Sequence, residues 1–224
     1  MKNNIYLALL LFSTYTFSQA PIGFYLNIGA NQTAIQSKDL LTVAKPGYTA
    51  GINFIMGYHE TYNYQIEVSY LNNPINIKAT DLNFVDLKES EYKYSALNIA
   101  FYLNYYILKP DEDKFFVGPQ AGFFISFVSP LKPADGSSKN NELYLPYLLD
   151  DQALGKSNEF DAGPGLGFTG GYNDFRFDLR YSIGLSNVLE KVQLNQYDQS
   201  NRYIGPILEG KAKGISFGIS YKIF

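Results

Sequence analysis

Cysteine is absent from this 224-residue chain. That excludes disulfide frameworks, Cys-ligated zinc, iron–sulfur clusters and thiol nucleophiles. Histidine occurs once, at His59, so a multi-histidine metal site is excluded as well. An excess of one charge sign is also lacking: 18 Lys and Arg stand against 21 Asp and Glu, a net charge of −3. No basic cluster is available to track a phosphate backbone, so no nucleic-acid partner is expected. Charged residues make up only 17% of the chain, where an ordinary soluble domain has about 25%. Tryptophan is missing, yet 20 Tyr and 17 Phe bring the aromatics to 17%, beside 19 Gly. Few charges with many aromatics and glycines point to extended β-structure in unusual surroundings.

A hydrophobic run long enough for a membrane helix, roughly 20 residues, is missing too. The apolar stretch Ile5 to Phe12 is short, and Lys2 precedes it. Residues 1–18 therefore read as a secretory signal peptide. Thr16 and Ser18 suit cleavage after Ser18. Cleavage as late as Ala20 would leave Pro21 first, which peptidases disfavour. The remainder, 19–224, is the right size for one barrel or one sandwich. If the chain enters a membrane, it does so as a barrel.

Eight stretches alternate with period two, the signature of strands with unlike faces. They cover residues 23–33, 48–58, 62–70, 94–107, 115–127, 160–172, 175–185 and 215–223. The seventh is the cleanest. Phe175, Phe177, Leu179, Tyr181, Ile183 and Leu185 oppose Arg176, Asp178, Arg180, Ser182 and Gly184. Short connections at 59–61, 109–114 and 173–174 alternate with long ones at 34–47, 71–93, 128–158 and 186–210. Short periplasmic turns and long extracellular loops are the outer-membrane barrel arrangement.

Alternation alone does not say which face is buried. A soluble secreted eight-stranded ligand-binding barrel would hold the large apolar class inside; a membrane barrel would turn it toward lipid. Eight strands enclose a lumen just wide enough for side chains to fill. The Phe, Tyr, Leu and Ile of every strand cannot all fit there, whereas the opposing Gly, Ser, Asn, Gln and few charges can. The expected fold is thus all-β: an eight-stranded antiparallel up-and-down transmembrane barrel, with outer-membrane lipid as its partner. Tyr48, Tyr58, Tyr62, Tyr94, Phe115, Tyr172 and Tyr221 would supply the interfacial girdles.

Several strands resemble a known family. Leu97-Asn98-Ile99-Ala100-Phe101-Tyr102-Leu103-Asn104-Tyr105-Tyr106 is similar to the fourth strand of the PorT-like outer-membrane barrels of Bacteroidota. So is Phe116-Val117-Gly118-Pro119-Gln120-Ala121-Gly122. The most specific match is Arg180-Tyr181-Ser182-Ile183-Gly184-Leu185-Ser186-Asn187, against an Arg-Tyr-x-x-Gly-Leu-x-Asn strand end. The resemblance spans roughly residues 23 to 224 and fades in the long loops. It implies an eight-stranded outer-membrane barrel. One member gives the family its name through a role in type IX protein secretion. Phe224 departs from the pattern: it follows Ile223 and lies out of phase with Tyr221, which bears on recognition by assembly machinery.

Glu67, Arg176, Asp178 and Arg180 are expected to face the lumen, with Asp161, Lys213 and Lys222 nearer the rims. They would form either an ion path or a set of mutually paired charges plugging a narrow barrel; buried charges favour pairing. His59 falls in a short turn with no Ser–Asp arrangement implied around it, so no catalytic residue is assigned. Gly163-Pro164-Gly165-Leu166-Gly167 lacks the Lys-Ser/Thr of a phosphate loop. No cofactor and no metal site is expected. Within the long loop 128–158, the run Leu143, Tyr144, Leu145, Tyr147 and Leu148 is the candidate partner surface. The expected function is that of a small non-enzymatic outer-membrane barrel, an accessory of protein secretion or outer-membrane assembly that meets other secretion or envelope proteins through its loops or turns. The alternative is a narrow pore or an OmpA-like structural barrel.

Overall fold

The computed structural model describes residues 23–59, 61–81, 87–108, 115–136, 142–144, 154–192 and 208–223. The expected signal peptide, 1–18 or at most 1–20, lies outside them, as does Phe224. The strands are β1 (Gly23–Ser37), β2 (Thr42–Ala44), β3 (Pro46–His59), β4 (Tyr62–Asp81), β5 (Leu87–Tyr105), β6 (Phe115–Val128), β7 (Lys132–Pro133), β8 (Glu142–Tyr144), β9 (Phe160–Tyr172), β10 (Phe175–Ile183) and β11 (Gly210–Lys222).

Eight of these form a ring in the order β1, β3, β4, β5, β6, β9, β10, β11, with every neighbouring pair antiparallel. β11 returns to β1, with Tyr25 opposite Lys222 and Ser37 opposite Gly210. Across the belt, closure gives each ring strand a partner on both sides, which a bilayer core requires because lipid offers no hydrogen-bonding partners. The β9–β10 turn is tight, and Asn173 takes a left-handed φ of 54°. Asparagine tolerates that conformation because its short polar side chain can bond locally.

The two faces of each strand separate as the alternation demands. Leu179 is 48% exposed, while its neighbours Asp178 and Arg180 are 2% and 7% exposed. Exposed Phe24, Leu26, Ile28, Phe101, Leu103, Phe123, Phe168, Phe177 and Phe217 continue an apolar belt around the outside. Tyr105, Phe115, Tyr172, Phe175 and Tyr221 ring the turn side. Tyr48, Tyr70, Phe127 and Phe160 stand toward the loop side. Phe175 packs on Tyr221 at 5.1 Å between ring centroids, and Phe127 meets Phe160 edge-on at 6.3 Å.

Two expectations need correction here. The long connection placed at 71–93 is largely strand, since β4 and β5 run 20 and 19 residues and pair as far as Thr80 opposite Leu87. Beyond the belt, β2 replaces β3 as the partner of β4, and β7 replaces β6 as the partner of β5. Tyr94, expected in a girdle, is instead buried inside the barrel wall. Both corrections have one cause: the apolar class changes face along the strand. In β4, Tyr64 and Tyr70 point outward, but farther on Ile75, Ile77 and Ala79 point inward. In β5, Leu97 and Phe101 point outward, whereas Tyr92, Tyr94 and Ala96 point inward. Where lipid surrounds the wall, apolar side chains face it. Where water does, they turn inside, as in any soluble core.

Candidate functional site in the barrel lumen

The lumen is built in tiers. Alternation in β10 sends Arg176, Asp178 and Arg180 inward, and β4 contributes Glu67 from across the ring; all four are buried. Arg180 Nη1 pairs with Glu67 Oε2, and Arg180 Nη2 lies 3.1 Å from Asp178 Oδ2. Arg176 Nε lies 3.3 Å from Asp178 Oδ1. Two guanidiniums and two carboxylates therefore balance. Buried ions of this kind persist only when paired and further hydrogen-bonded.

Polar neighbours complete the cluster. Gln65 Oε1 accepts from Arg176 Nη2 at 2.9 Å, and Gln120 Oε1 accepts from Arg180 Nε at 3.1 Å. Ser69 Oγ donates to Glu67 Oε1 at 2.9 Å. The amide of Asn53, with its nitrogen toward Glu67, lies 3.1 Å from Oε2. Aromatic faces cover the cations: Arg180 lies 4.4 Å from the Tyr102 ring centroid and Arg176 5.6 Å from that of Phe116. Gly165 makes room for this arrangement, since a Cβ there would come within 2.7 Å of the Tyr102 hydroxyl.

At the loop side, Ile35, Leu40, Ile75, Ile77, Tyr92, Tyr94, Leu154, Leu189 and Leu208 gather into a continuous apolar core. Residues from the long connections thus pack across the outer end of the barrel. Asn187 ties them down: its Oδ1 accepts from Gly210 N at 2.9 Å, and its Nδ2 donates to Leu208 O at 2.7 Å.

Asp161, expected near a rim, is buried in the lumen, and its Oδ1 accepts from Ser186 N at 3.2 Å. Lys213 does not face the lumen: it shares the outward register of β11 with Ile215. Lys222 keeps the inward register, half-buried at the turn side. His59 ends β3 opposite Tyr62 rather than lying in the turn. Gly163, Gly165 and Gly167 belong to β9, a strand and not a phosphate loop. Of the partner run, Leu143 and Tyr144 lie in β8, which pairs with the outer end of β4. Leu145, Tyr147 and Leu148 lie outside the described residues. Gln65, Gln120, Tyr102 and Tyr106, whose hydroxyl accepts from Arg176 Nη1 at 3.4 Å, were not singled out from the sequence as partners. Their inward register was the one available signal.

The profile of a family described as "Outer membrane protein beta-barrel domain" matches residues 13–190. Among solved structures, Ail, the attachment invasion locus protein of Yersinia pestis in complex with the heparin analogue sucrose octasulfate, aligns with a TM-score of 0.45 and 11% identity. That alignment covers 91% of this chain and 100% of Ail. OprG from Pseudomonas aeruginosa aligns with a TM-score of 0.45 and 12% identity, over 90% of this chain and 96% of that one. Neisserial surface protein A gives 0.43 and 14%, over 90% and 97%. No curated protein matches the chain.

Proposed function

Because the chain belongs to the outer membrane protein beta-barrel domain family and so resides in the bacterial outer membrane, we propose that it is a non-enzymatic, non-conducting barrel of the PorT-like kind. It acts as an accessory of protein secretion or outer-membrane assembly. One observation carries the non-conducting part: the lumen is filled by the charge-balanced cluster around Arg180 on one side and by the apolar core around Ile77 on the other. A continuous water path would have to pass both. With the lumen blocked at both levels, the surfaces left for work are the outer ends of β4 and β5, the strands docked on them, and the long loops. The secretion part rests on the Arg180 to Asn187 strand end and the two other strand resemblances.

Two measurements test the proposal. In planar bilayers the purified protein is expected to give no discrete conductance steps. Extracted from its native membrane in mild detergent, it is expected to co-purify with larger envelope proteins. Reproducible single-channel steps would replace this reading with that of a narrow pore. A barrel that always purifies alone would remove the accessory role.

A further inference from the structure

Two outward lysines beyond the apolar belt meet acids: Lys45 Nζ pairs with Glu91 Oε2 at 2.8 Å, and Lys78 stands directly opposite Glu89. The start of β11 is different. Lys211 and Lys213 share the outward register that continues down the strand through Ile215, Phe217, Ile219 and Tyr221. Lys213 lies between Ile183 of β10 and Ala34 of β1, and Lys211 lies opposite Gln36. No acid among the described residues pairs with either lysine. The nearest carboxylates by register, Asp39 and Glu209, stand farther from the belt, where Asp39 Oδ2 accepts from Glu209 N at 2.7 Å. Lys93 and Lys132 form a second cationic pair, directly opposite each other on β5 and β7. There Ser95 intervenes between Lys93 and the belt residue Leu97, whereas Lys213 adjoins Ile215.

A second observation is independent of that charge. Apolar residues flank Lys211 and Lys213 on both sides. Leu185, one step beyond Ile183 in the outward register of β10, is 61% exposed. On the other side, Thr42 Oγ1 donates to Ile35 O at 2.6 Å and Gln32 Nε2 donates to Ala44 O at 3.2 Å. These bonds hold β2 beside β1 and leave Leu41 and Val43 exposed. The outer hairpin of β4 and β5 instead presents Lys78, Glu89, Glu91 and Lys93. Lysine stems lie along apolar surface while the ammonium reaches polar headgroups. The loop side of an outer-membrane barrel meets the outer leaflet. A cationic pair edged by exposed apolar residues at that boundary matches a molecule with an anionic head and acyl chains.

We propose that this face of β10, β11 and β1 docks a phosphate-bearing lipid of the outer leaflet. Lys211 and Lys213 take the phosphate, and Ile183, Leu185 and Ile215 take the acyl chains. The whole barrel in nonionic micelles, titrated with diphosphoryl lipid A and read by native mass spectrometry, should bind that lipid. It should not bind phosphatidylcholine, whose own ammonium balances its phosphate, and inorganic phosphate at the same concentration should not displace the lipid. Lys211→Gln combined with Lys213→Gln should weaken binding about thirtyfold, at roughly fivefold per lysine. Lys93→Gln combined with Lys132→Gln removes the same charge elsewhere on the outer rim and should leave binding unchanged. All four positions lie outside the lumen and the outer core, and heat-modifiable mobility on gels checks that each variant folds. Unchanged affinity in the Lys211 and Lys213 variant, an equal loss in the Lys93 and Lys132 variant, or displacement by free phosphate would overturn the proposal.

Discussion

At the scale of single residues, Arg180 ties β10 to β4, the strand opposite it in the ring. It meets Glu67, Asp178, Gln120 and the Tyr102 ring at once. Arg180→Ala would strand Glu67 without its cation, and the expected cost is on the order of 3–5 kcal/mol, as for other broken buried pairs. Urea midpoints for folding into lipid vesicles would read it; an unchanged midpoint would show that water already screens the cluster. Glu67→Gln combined with Arg180→Met should recover part of the loss, because Arg176 and Asp178 still balance. The four charged residues of this site were legible in the sequence, since Arg176, Asp178 and Arg180 interrupt an otherwise apolar alternation. So was their mutual pairing; their neutral partners were not. Gln65 reaches Arg176 across 111 residues, and Gln120 reaches Arg180 across 60. Register says that a side chain points inward, but only ring closure says what it meets.

At the scale of strands, the change of face in β4 and β5 separates a lipid-bounded zone from a water-bounded one, and opposite substitutions should be tolerated in each. Leu179→Arg, in the lipid zone, is expected to cost roughly 2–4 kcal/mol, again read by vesicle folding. Ile77→Ala, in the outer core, is expected to cost about 2–5 kcal/mol through the cavity it leaves. Its signature should be local. Amide exchange should accelerate in the outer halves of β4 and β5, while the lipid-zone pairs such as Ile66 opposite Phe101 stay protected. Acceleration throughout the barrel would deny the two zones their separateness. The eight ring strands could be read from period-two alternation because one apolar face persists in each. The outer halves could not, because Asn72, Asn73 and Pro74 break the pattern where it shifts by one residue. Ile75, Ile77 and Ala79 still alternate beyond that break, so the signal was present but in the opposite phase.

At the scale of the whole molecule, the topology makes a labelling prediction. Single cysteines at Asp135, on the loop side, and at Asp174, in the β9–β10 turn, both replace exposed residues. On intact cells a membrane-impermeant maleimide should modify the first and spare the second until the outer membrane is opened; the reverse would invert the barrel. A closed barrel should also migrate differently on gels before and after boiling, and detergent-free recovery of a folded monomer would contradict the membrane assignment. The seam between β1 and β11 carries a consequence for folding in time. The first ring strand waits for the last, so Tyr25 finds Lys222 only after nearly the whole chain has been delivered. Contacts so distant in sequence form slowly. Until they form, every partial barrel presents two unpaired edges, open to mispairing in water and impossible to satisfy in lipid. Insertion is therefore a late, all-or-none event, and a nascent chain lacking β11 has no stable halfway state in the bilayer.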